Sequence, residues 1–203
     1  MKQNFIKKTI DKVFENSEIF DRFRSILHNN YLDEKKILLK NLDKDKKTLD
    51  FGCGSGQFSV IFNPKNYYGA DTSMKYIRFC KDKRRGNFIL IKESPPYSFR
   101  SNYFDQIFIS AVVHHLDDKT IRIIFKELYR ILNKKGKIIV VDHFIISEQK
   151  NIFCKLLINL DRGDYFRNPE NLTFLFSDRF KIKKLENFKN TIYKDYILVL
   201  NKR

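Results

Sequence analysis

A strand that runs straight into three alternating glycines leaves few folds open. In this chain Lys47-Thr48-Leu49-Asp50-Phe51 reads as a short strand, and Gly52-Cys53-Gly54-Ser55-Gly56 follows at once. In an open α/β sheet, ligands sit beyond the carboxyl ends of the strands, and the turn after the first strand meets them. Glycines there let the backbone bend sharply and approach a ligand with no Cβ in the way. The pattern is D-x-G-x-G-x-G. A dinucleotide fingerprint would be G-x-G-x-x-G, but Gln57 stands where its last glycine belongs and Gly56 comes one residue too soon. An acid at Asp50 suits a pyrophosphate poorly and a cationic ligand well. A helix is expected to start directly after Gly56.

The rest of the chain continues the alternation. Residues 3–42 read as helical, with apolar positions three and four apart, among them Ile37, Leu38 and Leu39. Further strands are expected at 67–71, 88–91, 104–112 and 137–141, then a closing pair at 180–185 and 196–201. Thr72-Ser73 caps a helix through Cys80. A helix over 119–132 is closed by Asn133-Lys134-Lys135-Gly136, a C-cap signal. Residues 150–177 read as mostly helical, broken near Gly163. Strands alternating with helices imply an α/β fold, a mostly parallel sheet covered on both faces, with an antiparallel pair at one edge.

The 203 residues suit one domain, since chains usually divide only beyond ~250–300. We expect an N-terminal helical cap (1–42), a ligand-binding core (45–145) and a C-terminal part (146–203) carrying substrate-side helices and the closing strands. The cysteines at 53, 80 and 154 form no C-x-x-C and no even framework, so neither disulfides nor a metal is expected. Neither a leader peptide nor a membrane-spanning run is legible, so the expected location is cytoplasmic. The net charge is +16. It fits an anionic partner, or a compositional bias in a chain with only Ala70 and Ala111 as alanines; the scattered lysines favour the bias.

Acids recur at the ends of the strands. Asp71 ends the second strand, 21 residues after Asp50, where a carboxylate can accept bonds from both hydroxyls of a ribose. Glu93-Ser94 follows the third strand, where an acceptor would meet an adenine amino group. Three acids in one crevice of a basic chain are what a cation pocket needs. Ser94-Pro95-Pro96-Tyr97 looks like the motif of amino-group methylation, but it follows the third strand rather than the fourth, and the prolines are read as loop formers. His114 and His115 lie just past the fourth strand and His143 just past the fifth, both opening onto the crevice. A histidine there can take the proton of an oxygen nucleophile. Arg162, Tyr165 and Arg167 are candidates to line an anionic substrate pocket.

Leu49 to Gly56, Tyr68-Gly69-Ala70-Asp71-Thr72-Ser73, Phe104-Asp105-Gln106-Ile107 leading to His114-His115-Leu116, and Glu127 to Leu132 before Gly136 stand in order over residues 45–145. Together they resemble the class I S-adenosylmethionine-dependent methyltransferases of the small-molecule type. The resemblance implies a Rossmann-like sheet of seven strands with a reversed last strand. It also implies S-adenosyl-L-methionine as cofactor, with its sulfonium and ammonium charges. By position, Asp50, Gly52, Cys53, Gly54 and Gly56 then hold the methionine part, Asp71 and Thr72 the ribose, and Glu93 and Ser94 the adenine, with Ser110 closing the site from the fourth strand. The family has Asp more often than Glu at position 93.

The leading expectation is methyl transfer to a small molecule, including anionic or glycan- or lipid-linked ones, with His115 and His143 as catalytic candidates. His114, Arg162, Tyr165 and Arg167 are the substrate-side candidates. An RNA- or DNA-modifying enzyme is the alternative; the charge permits it, but the chain shows no aromatic-interleaved basic stripe. An NAD(P)-binding oxidoreductase is disfavoured: the only Tyr-x-x-x-Lys, Tyr31 to Lys35, precedes the glycine turn. The oligomeric state is not legible.

Overall fold

The computed structural model describes residues 32–144, 165–189 and 194–203. Helix α1 (Leu32–Asn41) leads into β1 (Thr48–Phe51), a 3-10 turn (Ser59–Ile61), β2 (Tyr67–Asp71), α2 (Met74–Lys83) and β3 (Asn87–Leu90). Then come β4 (Phe104–Ser110), a second 3-10 turn (Val113–His115), α3 (Asp118–Ile131) and β5 (Leu132–Phe144). Helix α4 (Pro169–Phe174), β6 (Phe180–Lys189) and β7 (Lys194–Lys202) complete the order. Most of the expected N-terminal cap (1–31), most of the expected helical stretch after 150 (150–164) and the link between the last two strands (190–193) lie outside the described residues.

The seven strands form one sheet in the order β3-β2-β1-β4-β5-β7-β6. Strands β1 to β5 are parallel neighbours, while β7 runs antiparallel to both β5 and β6. This is the α/β architecture expected, a mostly parallel sheet with a reversed last strand. Its cause is the period of two along strands that are buried on both faces. Ile107, Ile109, Ile138, Val140, Leu198 and Leu200 face one core with Ile121, Ile124, Phe125 and Leu128 of α3. Phe108, Ile139, Val141, Ile197 and Val199 face the other with Leu38 of α1 and Ile77 and Cys80 of α2. Helix starts follow their capping residues: Ser73 Oγ accepts the Tyr76 N–H at 3.4 Å, and Asp117 accepts the Thr120 N–H at 2.7 Å.

Four local expectations are corrected. No α-helix follows Gly56; only the 3-10 turn Ser59–Ile61 forms, because Pro64 and the start of β2 at Tyr67 leave too little chain. Gly136 is no C-cap: α3 ends at Ile131 and β5 begins at Leu132, with the register shifting where Gln106 pairs with Lys137. Strand β4 stops at Ser110 rather than 112, since Ala111 takes φ 52° and turns the chain. Leu39 is not on the buried face of its helix but 54 % exposed, because Leu38 and Leu42 are the residues that meet the sheet.

Candidate active site

The carboxyl ends of β1, β2, β4 and β5 meet in a continuous chain of contacts. Gly52 takes φ 78°, and a Cβ there would lie 2.4 Å from Val112 Cγ2, so the glycine turn and the loop after β4 touch. Gly54 takes φ 51°, and a Cβ built on it meets nothing within 4 Å. Its outer side is thus open space, a cradle for a ligand, while its N–H donates to Asp71 Oδ2 at 2.8 Å. Asp71 Oδ1 accepts the Ser73 N–H at 2.8 Å and so also steadies the start of α2. A carboxylate has about four acceptor positions, so this one keeps others for a ligand. Thr72 beside it is exposed, and Gly56 is packed under Cys80 and Phe88.

Asp50 lies beneath the glycine turn, not in it. Its carboxylate is 1 % exposed and accepts the Tyr67 hydroxyl at 2.5 Å. Burial pushes its carboxyl up to about 7; the Tyr67 bond pulls down and the charge of Asp71 pushes up further. It therefore acts on the crevice through its field. Cys53 also turns inward. Its Sγ and that of Cys80 both lie against the Gly54 carbonyl, at 3.8 and 3.3 Å, and the Cys80 bond and burial hold the Cys53 thiol well above its usual range. Tyr67 was not singled out from the sequence; a tyrosine opening β2 beside the strand that carries Asp50 was the only signal.

Past β4, the 3-10 turn places His114 inside and His115 outside. His114 is 3 % exposed and its Nδ1 lies 2.5 Å from Asp142 Oδ1 on β5. Asp142 Oδ2 accepts the N–H groups of Val113 and His114 at 2.7 and 3.3 Å. The Phe166 ring stacks on His114 with centroids 5.1 Å apart, and Tyr165 N–H donates to the His114 carbonyl at 2.9 Å. No sequence signal singles out Asp142; its partnership with His114 depends on β4 and β5 pairing side by side. Arg167 is a strut. Its guanidinium donates to the Leu116 and Tyr165 carbonyls at 2.7 and 2.8 Å and pairs with Asp118. Tyr165 is 44 % exposed beside it. Buried Tyr196 faces Asp142 in register on β7, and burial first, then the Asp142 charge, raise its hydroxyl well above the usual range.

Ser110 is half-buried at the end of β4, and Glu93 and Ser94 are exposed on the loop after β3. Tyr97 of the Ser-Pro-Pro-Tyr stretch is core: its ring lies 5.5 Å from Phe51 and its N–H donates to Glu127 at 2.9 Å. Its buried hydroxyl has no partner among the described residues. His143 has its backbone on β5, but its side chain and all of Arg162 lie outside the described residues.

A glycine cradle open to solvent, two acids beneath and beside it, and a reversed seventh strand define a class I methyltransferase fold. These groups fit a cationic donor, since carboxylates gather at the crevice of a chain whose net charge is +16. A methyltransferase-domain family model matches residues 49–140. Over those residues the chain is similar to the methyltransferase-domain family, and the glycine turn with its acids fits S-adenosyl-L-methionine as a methyl donor.

Over 119 residues it is 30 % identical to the tRNA (carboxymethyluridine(34)-5-O)-methyltransferase of Arabidopsis thaliana, covering 58 % of this chain and 29 % of that protein. Over 164 residues it is 28 % identical to a probable cobalt-precorrin-6B C(15)-methyltransferase (decarboxylating) of Saccharolobus solfataricus, covering 74 % and 77 %. A SAM-dependent methyltransferase from Archaeoglobus fulgidus superposes with a TM-score of 0.68 at 18 % identity, over 90 % of this chain and 99 % of that one. At that identity the likeness is one of fold. Of three curated relatives the chain spans only 29, 65 and 31 % of the length. Among the described residues, no helix is long and apolar enough to cross a membrane.

Proposed function

We propose that the chain methylates a nucleoside of a structured RNA of the tRNA class. The observation that carries the chemistry is the contact of Gly52 with Val112, two residues before His114: the donor cradle and the buried His114–Asp142 pair share one wall. The acceptor class is supported by the Arabidopsis relative and by a second relative named as a probable tRNA methyltransferase. In this reading Gly52, Gly54 and Gly56 shape the cradle for the methionine part, with Cys53 bracing it from below. Asp50 supplies the field, Asp71 and Thr72 take the ribose, and Glu93, Ser94 and Ser110 border the adenine and the methyl. When bound, the cofactor would supply a methyl carbon activated by its sulfonium, open to in-line attack by the acceptor with S-adenosylhomocysteine as the leaving group. In this reading Asp142 orients His114 toward the acceptor side, His115 is the candidate to take a proton from the acceptor, and His143 is a second candidate from the sequence alone. Tyr165 and Arg167 are the acceptor-side residues in this reading, Arg167 by holding the 165–167 segment against the His114 turn, and Arg162 is a candidate from the sequence alone.

A free small-molecule acceptor is the second reading. It is favoured by the Saccharolobus relative, which matches over most of both chains. One assay separates the two. Labelled methyl from S-adenosylmethionine is followed onto unfractionated tRNA and onto a small-molecule extract from which nucleic acid has been removed. Label in tRNA that nuclease digestion returns as a nucleoside supports the first reading. Label only in the extract replaces it with the second.

A further inference from the structure

Helix α3 buries Ile121, Ile124, Phe125 and Leu128 and turns Lys119, Arg122 and Lys126 to solvent. With Arg130 these cations are three, four and four residues apart, so they line one side of the helix for about 16 Å. Arg122–Lys126 and Lys126–Arg130 are like charges at i,i+4, an arrangement that opposes helix formation. Three nearby acids are already paired, while Asp117 caps the helix through the Thr120 N–H and lies within the field of Lys119. Arg130 holds Glu127 by two bonds of 2.7 and 2.8 Å, Arg167 holds Asp118 at 2.7 Å, and Arg179 holds Asp178. Lys119, Arg122 and Lys126 have no ion pair among the described residues. On α2 the comparable row Lys75, Arg78 and Lys81 is interrupted by Asp82.

The stripe begins at Lys119, four residues after His115 at the crevice, and ends in a surface cleft of about 640 Å³. Lys126, Arg130, Arg179 and Lys202 line that cleft against the one carboxylate of Glu127. Lys202 Nζ sits 4.2 Å over the Tyr129 ring and donates to the Leu132 carbonyl at 2.8 Å. Burial and the neighbouring Lys134 hold its ammonium below the usual lysine range, a cation that gains from an arriving anion. A row of this length exceeds one phosphate group and matches a chain of them.

We propose that the outer face of α3 and the cleft at its foot form a docking surface for the phosphate backbone of the acceptor RNA. The assignment rests on the RNA reading above. Phosphate contacts of this kind position a nucleic acid without reading its sequence, and each adds to the salt dependence of binding.

The test is binding of unfractionated tRNA over a range of salt concentrations. Wild type is compared with Lys119→Glu/Lys126→Glu and with Lys65→Glu/Lys81→Glu on other faces. Each double change removes four charges, taking +16 to +12, so a pure net-charge effect weakens both pairs equally. Retained S-adenosylhomocysteine binding, read by calorimetry, shows that each variant is folded. The expected result is a loss of ~10-fold or more for the α3 pair, with a salt slope shallower by about two, and a much smaller loss for the control pair. Equal losses in both pairs, or none in the α3 pair, overturn the docking surface and leave the RNA reading standing. Wild type that fails to bind tRNA sinks both. Binding to phosphatidylglycerol vesicles instead of tRNA, lost in the α3 pair, makes the face a membrane contact and overturns the proposal.

Discussion

Asp71, at the end of β2, accepts the backbone N–H of Gly54 at 2.8 Å and ties the glycine turn to the start of α2 through its second oxygen on Ser73. One carboxylate thus shapes the turn and borders the cradle. Asp71→Ala leaves the Gly54 N–H without its acceptor and removes the ligand's. S-adenosylhomocysteine affinity is expected to fall by ~1–3 kcal/mol, the cost of an unmade bond to a buried polar group. Calorimetric titration of both proteins checks it; unchanged affinity would remove Asp71 from the site.

Asp50 gives the site a pH dependence. Its carboxyl is raised to about 7 by burial, so the folded protein binds this proton more tightly than the unfolded chain. Stability of the ligand-free protein is then expected to fall as pH rises from about 4 to 7 and to level off above that. A cationic ligand favours the ionised form, so S-adenosylmethionine binding should tighten toward pH 7, by at most about ten-fold per pH unit. Asp50→Asn is expected to flatten both profiles. A flat wild-type binding profile between pH 5 and 7 would contradict the assignment.

The two glycines separate stability from binding. Gly52→Ala meets Val112 Cγ2 at 2.4 Å in a left-handed conformation and should lower the melting temperature sharply. Gly54→Ala costs only the left-handed backbone, ~1–2 kcal/mol, because nothing lies within 4 Å of the new methyl. That methyl enters the cradle instead, so S-adenosylhomocysteine affinity should drop more than ten-fold. Thermal melts with and without ligand distinguish them; a Gly54→Ala protein that binds normally would empty the cradle of its meaning.

The His114–Asp142 pair predicts a different split. Asp142→Asn keeps an oxygen for the Val113 N–H but weakens the hold on the imidazole. Methyl transfer to the acceptor should fall by ~10²-fold or more, the usual contribution of a positioned acid or base. S-adenosylhomocysteine affinity should stay within about two-fold, because the pair stands on the acceptor side. Loss of both together would mark the pair as purely structural.

Much of the fold was legible in the residues. The period-two hydrophobicity of β4, β5 and β7 and the break at the glycine turn marked the strands, and Asp71 stands at the end of β2 where its spacing from Asp50 put it. Local signals failed where length overrode them: Gly56 has helix-starting chemistry after it but too few residues before Pro64, and Gly136 looks like a C-cap inside what became a strand.

By itself, the sequence determined the class of sheet, the glycine turn and the acids around it, because strand period and backbone freedom are local properties of neighbouring residues. Only the tertiary structure decided what those residues touch. Asp50 meets Tyr67 instead of the cradle, His114 meets Asp142, and Arg167 braces the His114 turn rather than standing free. Each of these contacts joins residues 17 to 51 positions apart, brought together by strands pairing side by side or by the segment after residue 164 folding back over the crevice. No periodicity in the chain encodes which side chains that pairing sets face to face.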